Sequence, residues 1–268
     1  MAGSSSHTMS KRRRWSKKPK GNGAALVQPT EAPIVAICIP SDDHVHAAFM
    51  LSILHLTMHT FTQDEIPIRG ITAQHIGSSI LPHSRYTLVK QSARHGATHL
   101  LYLDSDMTFP ADTLVRLLRH DKDMVSINAM SRRPPYNLTG WVGPGEQLVT
   151  TAESTGLVKV WRTGLAVALI KASVFDALDA PYFEQPYLPE KDEFRGEDYH
   201  FFDQARKAGF ELYIDQDLSK QVNHLGSFAF NPMMKDGMQP HLHAEAEVVP
   251  KPAEPANHEI REGVQPNG

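Results

Sequence analysis

Cysteine is nearly absent from this 268-residue chain, and so are long apolar runs. Cys38 is the single cysteine, so no internal disulfide bond can form, and we expect a reducing, cytoplasmic setting. The longest apolar runs, at 34–39 and 165–170, are far shorter than the roughly 18 residues that cross a membrane. No apolar segment follows the basic N-terminal residues in the manner of a secretory signal. The sequence therefore predicts neither a transmembrane segment nor a disulfide-rich secreted protein.

Charge is distributed unevenly along the chain, although the net charge is only −3. Residues 1–33 carry seven Lys or Arg and one Glu, whereas residues 240–268 carry two Lys or Arg and five Glu. The segments 1–32 and 240–268 have compositions typical of disorder, and we expect a basic arm and a tail there. The hydrophobic content of 41% suffices for a core, so 33–239 is predicted to be one folded domain.

Short apolar runs alternate with helical patterns in the first half of the domain. The run at 33–40, bounded by prolines, predicts a central strand, and further strands are predicted at 68–76 and 98–104. Apolar residues spaced by three and four predict a helix over 44–61. A second helix is predicted over 84–95, with Ser84 as N-cap and Gly96 as its end. This alternation predicts an α/β fold whose mostly parallel central sheet is covered by helices on both faces.

The second half has a different pattern. Gly and Pro recur at short intervals over 136–161, which is typical of antiparallel ribbons. A helix is predicted over 197–208, and the last strands over 210–215 and 220–226. We therefore expect a smaller antiparallel part beside the parallel sheet.

Two aspartates flank one serine at the end of the third predicted strand, in the order Asp104-Ser105-Asp106. The carboxyl ends of strands are where open α/β sheets bind ligands. Carboxylates this close repel each other unless a cation lies between or beside them, and oxygen ligands suit a divalent metal. The same pair is also typical of a turn and helix cap before Pro110.

Two further clusters add to this pattern. Glu197 and Asp198 follow Gly196 at a predicted helix start, where acidic residues also favour the helix dipole without any catalytic role. His224 precedes Gly226 at the end of the last predicted strand, where an imidazole can reach a metal held elsewhere. A lone histidine is also compatible with a purely structural role, so the conjunction of the three clusters in this order carries the functional prediction.

These motifs resemble the nucleotide-sugar glycosyltransferases of the GT-A fold, particularly bacterial and phage members similar to family two. The matching segments span most of residues 33–228: IVAICIP, the stretch from SRYTLVK through LLYLDSDMTFP to DKDMV, SRRPPY, and the stretch from GEDYHFF to VNHLG. DSDMTFP followed by GED and HLG at these separations is the most specific part. The resemblance implies a GT-A type single domain.

The resemblance also implies roles for individual residues. The implied metal site consists of Asp104, Asp106 and His224: Asp106 and His224 would ligate a Mn²⁺ or Mg²⁺ ion bridging the donor phosphates, with Asp104 holding the ribose or a metal-bound water. Such a cation neutralises charge on the departing nucleoside diphosphate. Asp198, or alternatively Glu197, would take the proton from the acceptor hydroxyl if the reaction inverts configuration. The expected substrate-binding residues are Pro40, Ser41, Asp42, Arg85, Asp104, Ser105, Arg132, Arg133 and Gly164.

The implied donor is a nucleotide-diphosphate sugar, with a UDP-sugar favoured. The basic arm, in which Trp15 could stack on a base, favours a DNA acceptor, and phage relatives imply a hydroxymethylated pyrimidine in phage DNA. A lipid-linked or surface glycan is the alternative acceptor, because anionic membranes attract the same arm. A sugar-phosphate nucleotidyltransferase would need a Gly-rich basic loop, but 40–46 contains neither Gly nor Lys. A non-catalytic nucleic-acid-binding protein would leave the carboxylates unexplained.

Overall fold

A computed structural model describes residues 32–42, 44–132 and 136–226. The strands, in chain order, are β1 Ile34–Ser41, β2 Gly70–Gly77, β3 His99–Leu103, β4 Met107–Thr108, β5 Met124–Ser126, β6 Trp141–Gly143, β7 Glu146–Gln147, β8 Leu157–Val160, β9 Val167–Lys171, β10 Tyr187–Leu188, β11 Glu193–Phe194, β12 Leu212–Asp215 and β13 Asn223–His224. The helices are α1 Ala47–Thr62, α2 Leu81–Arg94, α3 Thr113–Arg119, α4 Ala172–Ala177, α5 Glu197–Lys207 and α6 Gln216–Ser219.

The described part of the chain builds a central sheet of seven strands in the order β2-β1-β3-β9-β5-β12-β8. The pairs β1–β2, β1–β3 and β5–β12 are parallel. Strand β9 runs antiparallel between β3 and β5, and β8 pairs antiparallel with β12 at one edge. The prediction of a mostly parallel sheet with an antiparallel part is confirmed.

Both faces of this sheet are covered, as predicted, because alternate strand residues point to opposite sides. In β1, Ala36 and Cys38 join the core formed with α2, α4 and α5, whereas Val35 and Ile37 join the core formed with α1, α3 and α6. Burial raises the pKa of the Cys38 thiol to about 12, which keeps it protonated and unreactive. The five strands that run in the same direction, β1, β2, β3, β5 and β12, end at the same edge of the sheet.

A two-stranded ribbon extends this carboxyl edge. β4 begins directly after Asp106 and pairs antiparallel with β13, so that His224 lies opposite Met107. The backbone N–H of Leu225 donates to the carbonyl of Asp106 at 2.6 Å. The predicted strand over 220–226 is therefore reduced to two residues, and its role is to bring His224 beside Asp106.

The second helix begins earlier than predicted. α2 starts at Leu81, and Ser84 lies inside it, fully buried, rather than at its N-cap. Pro82 explains the difference, because its fixed backbone angle and missing N–H suit the first turn of a helix. The predicted end is confirmed, since Gly96 follows the helix with a φ of 68° that favours glycine.

The segments 1–31 and 227–268 lie outside the described residues, together with Asp43 and 133–135. The basic arm, Trp15 and the tail therefore stay predictions, as do the domain boundaries at 32 and 240. No helix in the described ranges is long and apolar enough to cross a membrane.

Candidate functional site

Arg85 of α2 connects two of the predicted acidic clusters in the interior. Its Nη1 donates to Oε1 of Glu197 at 2.5 Å, and its Nη2 lies 3.3 Å from Oδ1 and 3.4 Å from Oδ2 of Asp104. The arginine is only 2% exposed. Segments far apart in sequence thus meet at one buried guanidinium, which balances the carboxylates around it. Burial raises the pKa of Asp104, and the nearby Arg85 limits that rise.

Both carboxylate oxygens of Glu197 have partners. Oε1 accepts from Arg85, and Oε2 accepts from Nε2 of Gln185 at 3.2 Å. Glu197 is buried, so its carboxylate is held between α2 and the loop before β10. Sequence reasoning missed Gln185, because no motif marks a single amide in the segment PYFEQPY. Side chains from two separate segments therefore hold the carboxylate of Glu197 in place.

Asp198 is held differently, although it is the next residue of α5. Its Oδ1 accepts the backbone N–H of Tyr199 at 2.7 Å. A Cβ built on Gly164 would lie 3.7 Å from its Oδ2, which places this predicted substrate-binding glycine beside the carboxylate. Burial raises the pKa of Asp198 to about 6, against the opposing charge of Arg85 and with the nearby Glu197 and Asp104 adding to the rise. A carboxylate with this pKa suits proton transfer near neutral pH.

Asp106 forms a partly exposed pair with His224. The Oδ2 atom of Asp106 is 3.4 Å from Nε2 of His224 and 2.9 Å from Nη1 of Arg132. The Nδ1 atom of His224 lies 2.8 Å from the carbonyl of Met130. Because a carbonyl only accepts, Nδ1 donates, and the other ring nitrogen faces Asp106. Although partial burial opposes ionisation, the hydrogen bond and charge of His224, with Arg132, hold the pKa of Asp106 below its ordinary value.

The donor set at this pair fits a divalent cation with few protein ligands. One carboxylate and one imidazole held by a backbone carbonyl are the ligand types that Mn²⁺ accepts, and Mg²⁺ is commonly held by one or two carboxylates together with phosphates and water. A cation held by Asp106 would have to replace Arg132, which now occupies the same oxygen. Residues 32–42, 44–132 and 136–226 contain no group of three or more His, Cys, Asp or Glu side chains placed so that they could hold a metal ion together.

The residues after β1 form a third part of the site. The hydroxyl of Ser41 donates to the carbonyl of Asp42 at 2.7 Å and lies 2.8 Å from Nε2 of His75 on β2. The backbone N–H of His46 donates to the carbonyl of Ser105 at 3.4 Å, so this loop reaches the DSD segment. His75 has no motif of its own, and only the pairing of β1 with β2 brings it to Ser41.

The structure brings most of the sequence-predicted residues to the carboxyl edge. Residues with direct contacts to one another or to the loops around them are Ser41, Asp42, Arg85, Asp104, Ser105, Asp106, Arg132, Gly164, Glu197, Asp198 and His224. Pro40 is buried near the end of β1, opposite Ile76 of β2. Arg133 lies outside the described residues.

Comparisons with known proteins bear on the fold. No family model matches this chain, and no curated protein matches it. Among solved structures, A197 from STIV is similar with a TM-score of 0.50 and 15% identity, covering 75% of this chain and 90% of that chain. The nucleoside-diphosphate-sugar pyrophosphorylase from Vibrio cholerae RC9 has a TM-score of 0.40 and 10% identity, covering 71% of this chain and 94% of that chain. This chain and A197 share a fold.

Proposed function

We propose that the protein is a metal-dependent glycosyltransferase of the GT-A type, which moves a sugar from a nucleotide-diphosphate sugar to an acceptor hydroxyl. The observation that carries this proposal is that two clusters of side chains containing carboxylates lie at one edge of the sheet. Asp106 and His224 pair with each other and are both partly exposed, while Arg85 joins Asp104 and Glu197 beside Asp198. This arrangement offers a place for a cation and, separately, a carboxylate suited to accept a proton.

The donor would lie across the carboxyl ends of β1 and β3. Ser41 and Asp42 would contact the base and ribose, and Asp104 the ribose or a metal-bound water. Asp106 and His224 would hold Mn²⁺ or Mg²⁺, which when bound neutralises charge on the diphosphate. Arg132, once displaced from Asp106, would be close enough to contact a phosphate as a charge-assisted donor. A UDP-sugar is the donor that we propose to test first.

The acceptor would be activated by Asp198. Its carboxylate would accept the proton of the acceptor hydroxyl while that oxygen bonds to the anomeric carbon of the sugar. The bond from this carbon to the phosphate oxygen breaks, and the nucleoside diphosphate leaves with the electron pair. Arg85 and Gln185 would hold Glu197, and with it the start of α5, so that Asp198 keeps its position. This mechanism inverts the configuration of the sugar.

For the acceptor, we propose a hydroxymethylated pyrimidine in phage DNA. The support is the basic composition of residues 1–32, which would neutralise phosphates. A lipid-linked or surface glycan is the competing acceptor, because the same cations are attracted to anionic membranes. Transfer to hydroxymethyl-containing duplexes, ordinary duplexes and lipid-linked oligosaccharides distinguishes these acceptors.

A panel of nucleotide sugars tests the reaction itself. Hydrolysis of each donor is measured with Mn²⁺, with Mg²⁺ and with a chelator, and release of pyrophosphate from nucleoside triphosphates plus sugar phosphates is measured in parallel. Cation-dependent hydrolysis that is lost in Asp106→Asn and kept in Asp64→Asn, an exposed residue in the loop after α1, supports the proposal. Pyrophosphate release without donor hydrolysis would instead identify a nucleotidyltransferase.

A further inference from the structure

A groove lies at the sheet edge formed by β8, away from the residues of the candidate site. It consists of two adjoining cavities of about 550 and 230 Å³ that share Lys159, Val160, Trp161 and Arg206. Arg206 belongs to the last turn of α5, nine residues after Glu197 and thus about 14 Å along the helix axis. None of the residues that line the two cavities belongs to the proposed donor site.

The groove combines an aromatic ring with exposed cations. The guanidinium carbon of Arg162 lies 3.7 Å from the ring centroid of Trp161, and that of Arg206 lies 5.5 Å from it. The side chains of Lys159 and Arg206 are 62% and 50% exposed. Cations held beside an indole ring offer both a stacking surface and charge to a planar anionic ligand.

Positive charge exceeds negative charge at the end of α5. The buried carboxylate of Asp203 pairs with Arg162, Arg195 and Arg206, so one negative group faces three guanidinium groups. Lys159 is balanced by Glu211. This excess stands out because residues 34–239, taken together, have 18 basic and 24 acidic side chains. An anionic ligand is therefore favoured at this groove against the overall charge of the domain.

The smaller cavity decides which kind of anion fits better. It is lined by the apolar side chains of Met124, Phe202, Phe210 and Leu212, by Gly209 and Glu211, and by the shared residues, and the carboxylate of Glu211 pairs with Lys159. An apolar lining suits a nucleobase better than the hydroxyl groups of an acidic polysaccharide, which would lose their hydrogen bonds to water. We propose that this groove binds single-stranded nucleic acid, with a base against Trp161 and phosphates beside Lys159 and Arg206.

Strand β6 connects the groove to Asp198. The backbone N–H of Trp161 donates to the carbonyl of Trp141 at 2.7 Å, and the indole of Trp141 donates to the hydroxyl of Tyr199 at 2.9 Å. Tyr199 directly follows Asp198. A nucleic-acid strand bound in the groove could therefore continue along β6 toward Asp198. Its role as the acceptor rests on the proposed function, whereas its binding in the groove does not.

The test measures binding of a fluorescently labelled oligothymidine by anisotropy over about 50 to 200 mM salt, using the full chain. Residues 1–32 contribute equally to all variants, so differences between variants report on the groove. The double variant Lys159→Gln/Arg206→Gln is expected to reduce the slope of log affinity against log salt by about 1.4. Each cation that neutralises a phosphate of a single strand contributes about 0.7 to this slope through counterion release, and the variant lacks two such cations. Trp161→Ala is expected to weaken binding roughly five- to hundredfold.

The matched control is Arg119→Gln/Lys191→Gln, which removes two exposed cations that pair with Glu65 and Glu193 elsewhere on the surface. Circular dichroism melting shows that each variant is folded. The proposal would be overturned if Lys159→Gln/Arg206→Gln and Trp161→Ala bound oligothymidine with the same affinity and the same salt slope as the control variant. Polygalacturonate, an acidic polysaccharide, is the second ligand. If Lys159→Gln/Arg206→Gln weakens the binding of polygalacturonate as much as that of oligothymidine, and Trp161→Ala weakens the binding of neither, the groove recognises charge alone and the proposal is overturned. Absence of donor hydrolysis in the unaltered chain would overturn the proposed function, but groove-dependent oligothymidine binding would still support this site.

Discussion

The candidate site has two halves whose carboxylates are treated in opposite ways. In the inner half, Arg85 is buried against Asp104 and Glu197, and burial raises the pKa values of Asp104 and Asp198. In the outer half, Asp106 meets the exposed Arg132 and the partly buried His224, and its pKa is lowered. Both halves have cationic partners, but burial outweighs them at Asp104 and Asp198, whereas at Asp106 the hydrogen bond and charge of His224, together with Arg132, outweigh burial. This difference is the basis for proposing proton transfer in the inner half and cation binding in the outer half.

The largest effect on stability is expected from Arg85→Met. This change leaves Asp104 and Glu197 without the buried cation between them, and loss of one partner from such a network costs about 3–5 kcal/mol. Arg119→Met, which breaks an exposed pair with Glu65, should cost about 0–1 kcal/mol. Urea unfolding of both variants measures the two values. Equal losses would show that the buried network around Arg85 contributes no more to stability than an exposed surface pair.

Asp198→Asn should lower turnover by about 10²- to 10⁴-fold, because the amide cannot accept a proton. Donor affinity should change little, since the carboxylate acts on the acceptor during the reaction. Single-turnover transfer and calorimetric nucleotide binding separate these effects. Glu197→Gln is the neighbouring comparison, and we expect it to lower stability through its contacts with Arg85 and Gln185. Turnover lost in Glu197→Gln but kept in Asp198→Asn would reverse the two roles.

Asp106→Asn should remove the effect of Mn²⁺ on nucleotide affinity. Loss of a residue that only hydrogen-bonds to a metal ligand lowers metal affinity by about 10- to 100-fold. Because Asp106 would itself be a ligand, we expect Asp106→Asn to lower cation affinity by at least as much. Titration of uridine and guanosine diphosphates, each with Mn²⁺ and with chelator, measures this. Asp64→Asn is the control. If the unaltered protein binds every nucleotide equally with and without the cation, the outer half is not a metal site.

The pH dependence gives the smallest predicted effect. Asp198 must be ionised to accept a proton, and its pKa of about 6 means that activity rises with pH through this value. At pH 5 only about a tenth of the molecules carry the ionised form, so kcat/KM should fall about tenfold from its plateau. The groups facing Asp198 are Arg85, Glu197 and Asp104. A profile that is flat between pH 5 and 8 at saturating cation would place the base elsewhere.

Local sequence patterns were enough to predict the first three strands of the sheet and the helices α1, α2 and α5, and the site residues stay a prediction. Apolar runs and three-four spacing predicted the strands and helices of the sheet, because these periodicities follow from backbone geometry. The carboxyl-edge position of Asp104 followed from its place after a buried strand. The error at Ser84 arose because a serine suits a cap in any sequence, whereas Pro82 had already started the helix.

The sequence by itself determined an α/β chain with carboxylates and a histidine at the ends of its strands. Only the tertiary structure decided which of two adjacent acids is held by other side chains, because Glu197 meets Arg85 across 112 residues and Gln185 across a loop. It also inserted the antiparallel β9 between β3 and β5, and gathered Trp161, Lys159 and Arg206 into a groove. Contacts of this kind depend on how distant segments pack, and local periodicity carries no record of that packing.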